Sequence, residues 1–143
     1  MNLIIKDAHS SDVHDIYDLI CELENFSFPK DNFTEIYNHN LDNNTICYKI
    51  AHYDNIIVGF GSVHIQNLLH HCGKVAEIQE LVITEKYQNK NIGKSLLLSL
   101  IEWGFQNGAI HCEVTCNTKR KLAKEFYLNN NFIHSHHKLI YYK

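Results

Sequence analysis

A chain of 143 residues, 45% of them apolar, has the length of one ordinary domain and can bury a real core. No stretch approaches the roughly 20 apolar residues that span a bilayer, and residues 1–7 lack the charged-then-apolar layout of a signal peptide, so a cytoplasmic protein is expected. The net charge of −3 gives no global reason to expect nucleic acid, although residues 119–121 with Lys124, and Lys90 with Lys94, form two basic clusters. The five cysteines are odd in number and include no CxxC pair, which argues against a disulfide framework or a zinc ribbon. Cys112 and Cys116 share the parity of one strand face, where they read as small buried hydrophobes.

Taken in chain order, residues 2–7 read as a strand. Ser10-Ser11-Asp12 then offers helix caps, and Val13, Ile16, Tyr17, Ile20 and Cys21 repeat at helical spacing, which predicts a helix over 11–24. Phe33, Ile36, Tyr37 and Leu41 mark a second helix between Pro29 and the Asn43-Asn44 break. Residues 45–53 and 56–66 are two strands joined by Asp54-Asn55, a two-residue turn suited to a hairpin. Residues 75–84 form another strand. Ile92, Leu96, Leu97, Leu100, Ile101 and Phe105 then mark a long amphipathic helix that closes near Asn107-Gly108. A strand at 110–116, a helix at 119–129 and two short strands within 132–142 complete the chain. The expectation is one mixed α/β domain over residues 1–143, with a central mixed sheet of six to seven strands flanked by about four helices.

The most informative stretch is the polar loop that follows the 75–84 strand and opens the long helix, Gln88-Asn89-Lys90-Asn91-Ile92-Gly93-Lys94-Ser95. A helix N-terminus presents free backbone N–H groups and the positive end of the helix dipole, so it attracts phosphate. Gly93 permits close backbone approach, Lys90 and Lys94 add positive charge, and Ser95 adds a hydroxyl. A nucleotide P-loop is excluded: Gly93-Lys94-Ser95 mimics its end, but Gln88 stands where its first glycine belongs and no later strand ends in a magnesium-holding acid.

The stretch resembles the acetyl-CoA loop of the GNAT superfamily, a Gln or Arg, two residues, Gly, one residue, then Gly or Ala. Asn91 replaces the first glycine, a mild change because asparagine tolerates positive φ. A second block, Asn117-Thr118-Lys119-Arg120-Lys121-Leu122-Ala123-Lys124-Glu125-Phe126-Tyr127 followed by Asn131-Phe132, is similar to the later motif of the same family, with Asn131 in place of a glycine at a helix end. The resemblance implies acetyl-CoA as cofactor, released as CoA and held by Leu81, Val82 and Ile83, by the loop from Gln88 to Ser95, by Asn117 and by Tyr127. It further implies direct attack of an amine on the thioester, with a backbone N–H of the strand at 81–83 meeting the oxyanion. Tyr127 matches the family's tyrosine that protonates the departing sulfur; the other reading is a packed helix tyrosine. For the base, Glu77 and Glu80 lie on the preceding strand, and alternation puts them on opposite faces. Either is a candidate, and either could instead be an ion-pair or edge residue.

A narrower resemblance rests on His64-Ile65-Gln66-Asn67-Leu68-Leu69-His70-His71, on Glu77-Ile78-Gln79-Glu80-Leu81-Val82, on Leu19-Ile20-Cys21-Glu22-Leu23 and on Ser135-His136. These look like the bacterial aminoalkylphosphonate N-acetyltransferases, a subfamily whose activity a divalent metal ion helps. The resemblance implies a small aminoalkylphosphonate as acceptor, with His64, His70, His71, Lys119 and Arg120 toward its dianion. A metal ion would be held by His70, His71 and Glu80. With eleven histidines in the chain, the alternative that these are loop surface stays open. Two other functions compete: a GNAT enzyme acting on another small amine, such as an amino acid or polyamine, and a non-catalytic CoA-binding module. Members of the family are often homodimers; no membrane or nucleic-acid partner is expected.

Overall fold

Asp54 and Asn55 both take the left-handed backbone conformation, with φ of 50° and 68°, and close the hairpin between β2 (Ile46–Tyr53) and β3 (Ile56–Leu68). That is the two-residue turn expected from their side chains, whose short polar groups tolerate positive φ. The computed structural model describes residues 2–143, and the chain divides into two compact units, the first ending at Glu113 and the second being Val114–Lys143.

In the first unit, β1 (Leu3–Asp7), β2, β3, β4 (Gly73–Ile83) and β5 (Ala109–Val114) lie side by side in that order, β5 running one residue past the unit's end. The β1–β2, β2–β3 and β3–β4 pairs are antiparallel. Between β1 and β2 come α1 (Val13–Glu24) and α2 (Lys30–Leu41), and α3 (Ile92–Gln106) carries the chain from β4 to β5. Ile50, Phe60 and Val82, on three neighbouring strands, pack with Ile16 and Leu19 of α1 and Tyr37 of α2. The other face receives α3, whose Leu96, Leu97 and Leu100 are fully buried, each side chain contributing about 1.5–3 kcal/mol by leaving water. Gly61 lets α3 approach: a Cβ there would lie 2.6 Å from Leu100 Cδ1.

Five strands are present among the described residues, against the six to seven expected, and residues 132–142 form none. Ile133, Leu139 and Tyr141 are 86%, 93% and 100% exposed. Their apolar, β-prone character drew the strand expectation, but strand propensity measures fit to a paired, half-buried surface and produces no strand without a ladder partner. The fourth helix, α4 (Lys121–Asn129), lies in the second unit. All five cysteines are free. Because β5 ends at Val114, Cys116 falls beyond the strand and does not share a strand face with Cys112. Burial pushes the Cys112 thiol up to about 11, which keeps it protonated and unreactive. No helix among the described residues is long and apolar enough to cross a membrane.

Candidate active site

The loop between β4 and α3 is built from its anchors inward. Ile92 is buried with Ala51 and Val58, and Tyr87 packs against that cluster, so both ends of the loop are held in the core. Gln88 Nε2 donates to the Ile83 carbonyl at 2.9 Å. Glu22 of α1 accepts the Glu85 backbone N–H at 3.1 Å and the Thr84 hydroxyl at 3.3 Å, a brace that no motif in the sequence announced. Between these anchors Asn89 and Asn91 take φ of 63° and 61°, and Asn91 is the N-cap of α3. Asparagine, standing where the resembled pattern has glycine, therefore takes a left-handed conformation here. The first backbone bond of the helix runs from Ser95 N–H to the Asn91 carbonyl at 3.2 Å. The amides of Ile92, Gly93 and Lys94 thus precede the helical ladder, between the exposed side chains of Lys90 and Lys94. Free amides, positive dipole and two ammonium groups suit a pyrophosphate.

In the second unit the Asn117 side chain accepts the Lys119 backbone N–H at 2.9 Å and its carbonyl accepts that of Arg120, also at 2.9 Å, forming the turn into α4. The far end of α4 closes on Asn131, in the left-handed region at φ 72°. Its N–H reaches the Leu128 carbonyl at 3.2 Å, while Phe132 N–H reaches that of Tyr127 at 3.1 Å. These are the paired bonds of a Schellman motif. Tyr127 is half-buried, its ring edge-on to Phe126 and Phe132 at 5.3 and 5.4 Å. Burial chiefly raises its phenol, the charge of Cys116 adds to this, and Arg120 opposes it; the result is about 12.

A cavity of ≈ 260 Å³ opens between α1, α2 and the sheet, with Asn40, Tyr48, His64, Gln79 and Glu80 as its polar lining. Its geometry depends on one irregularity. Ser62 pairs with Glu80 but Val63 pairs with Ile78, so Gln79 is an extra residue bulged out of β4. His64 pairs with Glu77. Ser62 and His64 share a face of β3, so their partners Glu80 and Glu77 share a face of β4, and the alternation expected to separate the two carboxylates is cancelled by the bulge. Gln79 Nε2 donates to Glu77 at 3.0 Å from the same side. Glu80 is fixed by Ser62, a fully buried serine whose hydroxyl donates to Glu80 Oε1 and accepts the Glu80 backbone N–H at 3.1 Å. Asn40 donates to the Tyr48 hydroxyl at 2.7 Å. Burial raises the Tyr48 phenol, the Asn40 bond opposes this, and the charge of Glu80 adds to it. Ser62, Tyr48 and Asn40 belong to no motif, and reasoning from the sequence missed them.

Of the three histidines expected at the acceptor, only His64 lines this cavity. His70 and His71 lie in a 3₁₀ turn, Leu69–His71, at the far end of the β3–β4 hairpin. By register that turn begins more than six residues beyond the Ser62–Glu80 pair, roughly 20 Å along the strand. The expected metal set of His70, His71 and Glu80 is therefore corrected: these three do not converge. Among the described residues the cavity holds no group of three metal-binding side chains. Lys119 and Arg120 are in the turn before α4; Lys119 is exposed and Arg120 half-buried.

Comparison with known proteins shows the family. The model of the acetyltransferase (GNAT) family matches residues 13–132. An aminoalkylphosphonate N-acetyltransferase of Salmonella typhimurium is 34% identical over 132 residues, 92% of this chain and 86% of that protein. A glucosamine 6-phosphate N-acetyltransferase of Candida albicans is 31% identical over 91 residues, 62% of this chain and 61% of that protein. An aminoglycoside N-acetyltransferase solved in complex with CoA shares the fold with a TM-score of 0.90 at 15% identity, over 99% of this chain and 95% of that one. The chain belongs to the GNAT family and is an acetyl-CoA-dependent N-acetyltransferase.

Proposed function

We propose that this enzyme acetylates the amine of a small aminoalkylphosphonate, in the cytoplasm, with both units of the chain acting as one functional domain. The observation that carries the reading is the small cavity of ≈ 260 Å³ in which a fixed carboxylate, Glu80, faces a set of hydrogen-bond donors. Drug-sized ligands occupy pockets of about 300–1,000 Å³, so the space suits an acceptor of few heavy atoms. Asn40, Tyr48, His64 and Gln79 offer N–H and O–H donors for phosphonate oxygens, while Glu80 takes the ammonium end. The name of the Salmonella relative supports the same class.

Acetyl-CoA supplies the acetyl group as a thioester. The amides at the start of α3, with Lys90, Lys94 and Ser95, hold its pyrophosphate, and the β4 backbone at Leu81, Val82 and Ile83 receives the pantetheine arm, with Asn117 on the cofactor as well. Glu80 accepts the proton of the bound ammonium, directly or through one water, with Glu77 behind it on the same face. Tyr127 returns a proton to the departing sulfur. Lys119 and Arg120 give the substrate's dianion its positive surroundings.

Asn91→Val tests the cradle. A β-branched residue at φ 61° is strained by roughly 1–2 kcal/mol, so CoA affinity measured by calorimetry should fall about tenfold. Asn91→Gly, which needs no strain, should bind CoA as the wild type does. Equal affinity for all three would remove the loop from the cofactor site. The acceptor class is tested by thiol release from acetyl-CoA over aminomethyl- and aminoethylphosphonate, glucosamine 6-phosphate, amino acids and polyamines. Highest kcat/KM is expected on an aminoalkylphosphonate; clear activity only on another amine overturns the substrate assignment and leaves the acetyltransferase standing.

A further inference from the structure

One group of metal-binding side chains among the described residues lies outside the acceptor cavity. His111 and Glu113 stand two apart on β5 and so project from the same face. His71 reaches them from the 3₁₀ turn that ends the β3–β4 hairpin. His111 Nε2 is 2.7 Å from Glu113 Oε2, and His71 Nε2 is 3.6 Å from the same oxygen. One ligand atom from each of the three residues lies within 4.8 Å of the others, and all three are half-buried. The imidazole rings of His71 and His111 stand at 82° to one another with centroids 4.7 Å apart.

We infer that His71, His111 and Glu113 form a binding site for one divalent transition ion of the zinc class. Tetrahedral zinc holds nitrogen and oxygen ligands at about 2.0–2.1 Å, which places neighbouring ligand atoms about 3.3 Å apart. The His71–Glu113 separation already meets that spacing. The His111–Glu113 hydrogen bond must open by roughly half an ångström, within the reach of a side-chain rotation. Two imidazoles and one carboxylate suit zinc, cobalt or nickel and not the all-oxygen shells of calcium or magnesium. Three protein ligands leave the fourth position to water. Bound there, the ion ties the hairpin end to β5 across forty positions of sequence (111 − 71 = 40). The site is structural and stands apart from the carboxylate and donors assigned to acetyl transfer.

The test uses the full chain stripped with a chelator and titrated with zinc chloride alone, followed by calorimetry and thermal melting. One equivalent should bind, and the melting temperature should rise by roughly 5–10 °C at about a hundredfold excess over the dissociation constant. His111→Ala and Glu113→Gln should each lose the equivalent and the shift, while His136→Ala keeps both; the near-isosteric Glu113→Gln decides the matter if His111→Ala does not fold. Acetyl transfer should be the same with and without zinc. Failure of the wild type to bind, or retention of the equivalent in Glu113→Gln and His111→Ala, overturns the site. Retention in both variants would mean that other histidines hold the ion.

Discussion

Glu80→Gln should lower kcat/KM for the acceptor amine by about 10²–10⁴-fold, the range that a positioned general base contributes, with the CoA dissociation constant unchanged. Glutamine keeps the size of the side chain and can still meet the Ser62 hydroxyl, so the substitution removes proton acceptance with little else. A variant without its base must wait for amine that is already neutral in solution. Its residual rate should therefore climb with pH, tenfold per unit below the amine pKa, whereas the wild-type rate climbs less steeply. Ser62→Ala probes the same group from behind. It removes the donor to Glu80 Oε1 and the acceptor of the Glu80 N–H, costing about 1–3 kcal/mol of stability. Activity should fall less than in Glu80→Gln, because a carboxylate free to swing still samples the productive position. If Glu80→Gln stays within about threefold of wild type, a loss too small for a general base, the role passes to Glu77 on the same face.

The need to test both carboxylates follows from what the residues of β4 can and cannot reveal. Local geometry was readable wherever one side chain dictates it. Asp54-Asn55 announced the hairpin, and Asn91 and Asn131 announced left-handed positions at the two ends where the family pattern has glycine. The bulge at Gln79 was not readable, because it is a property of the β3–β4 register and not of any residue in Glu77-Ile78-Gln79-Glu80. With it went the facing of Glu77. Ser62 was invisible for a related reason: a small polar residue in the buried run of β3 has no spacing to betray its partner eighteen positions on. His71 was singled out, but the partners it meets lie on β5, and no short motif links them. The two short strands expected within 132–142 failed in the opposite direction, since β-prone residues record what a strand would need and not whether a neighbouring strand is there to pair.

Tyr127→Phe should lower kcat by about 10²-fold and leave CoA binding within error, since the variant loses a proton donor and keeps the ring between Phe126 and Phe132. The phenol holds its proton in the resting enzyme. Its ordinary value of 10 is raised to about 12, first by burial, so it stays protonated throughout any practical assay range and does not discharge before a thiolate appears beside it. The sign of the pH effect follows. Below about 12 the protonated, donating form dominates, and this group contributes no alkaline fall in kcat between pH 8 and 10, where an unshifted phenol would already be half ionised at the upper end. A kcat profile that is flat to pH 10 in the wild type fits this donor. A fall centred near 10 that vanishes in Tyr127→Phe would identify the phenol as the acid but contradict its burial. A turnover in Tyr127→Phe equal to wild type would remove the assignment and return Tyr127 to the packing of α4 against its own C-terminal turn.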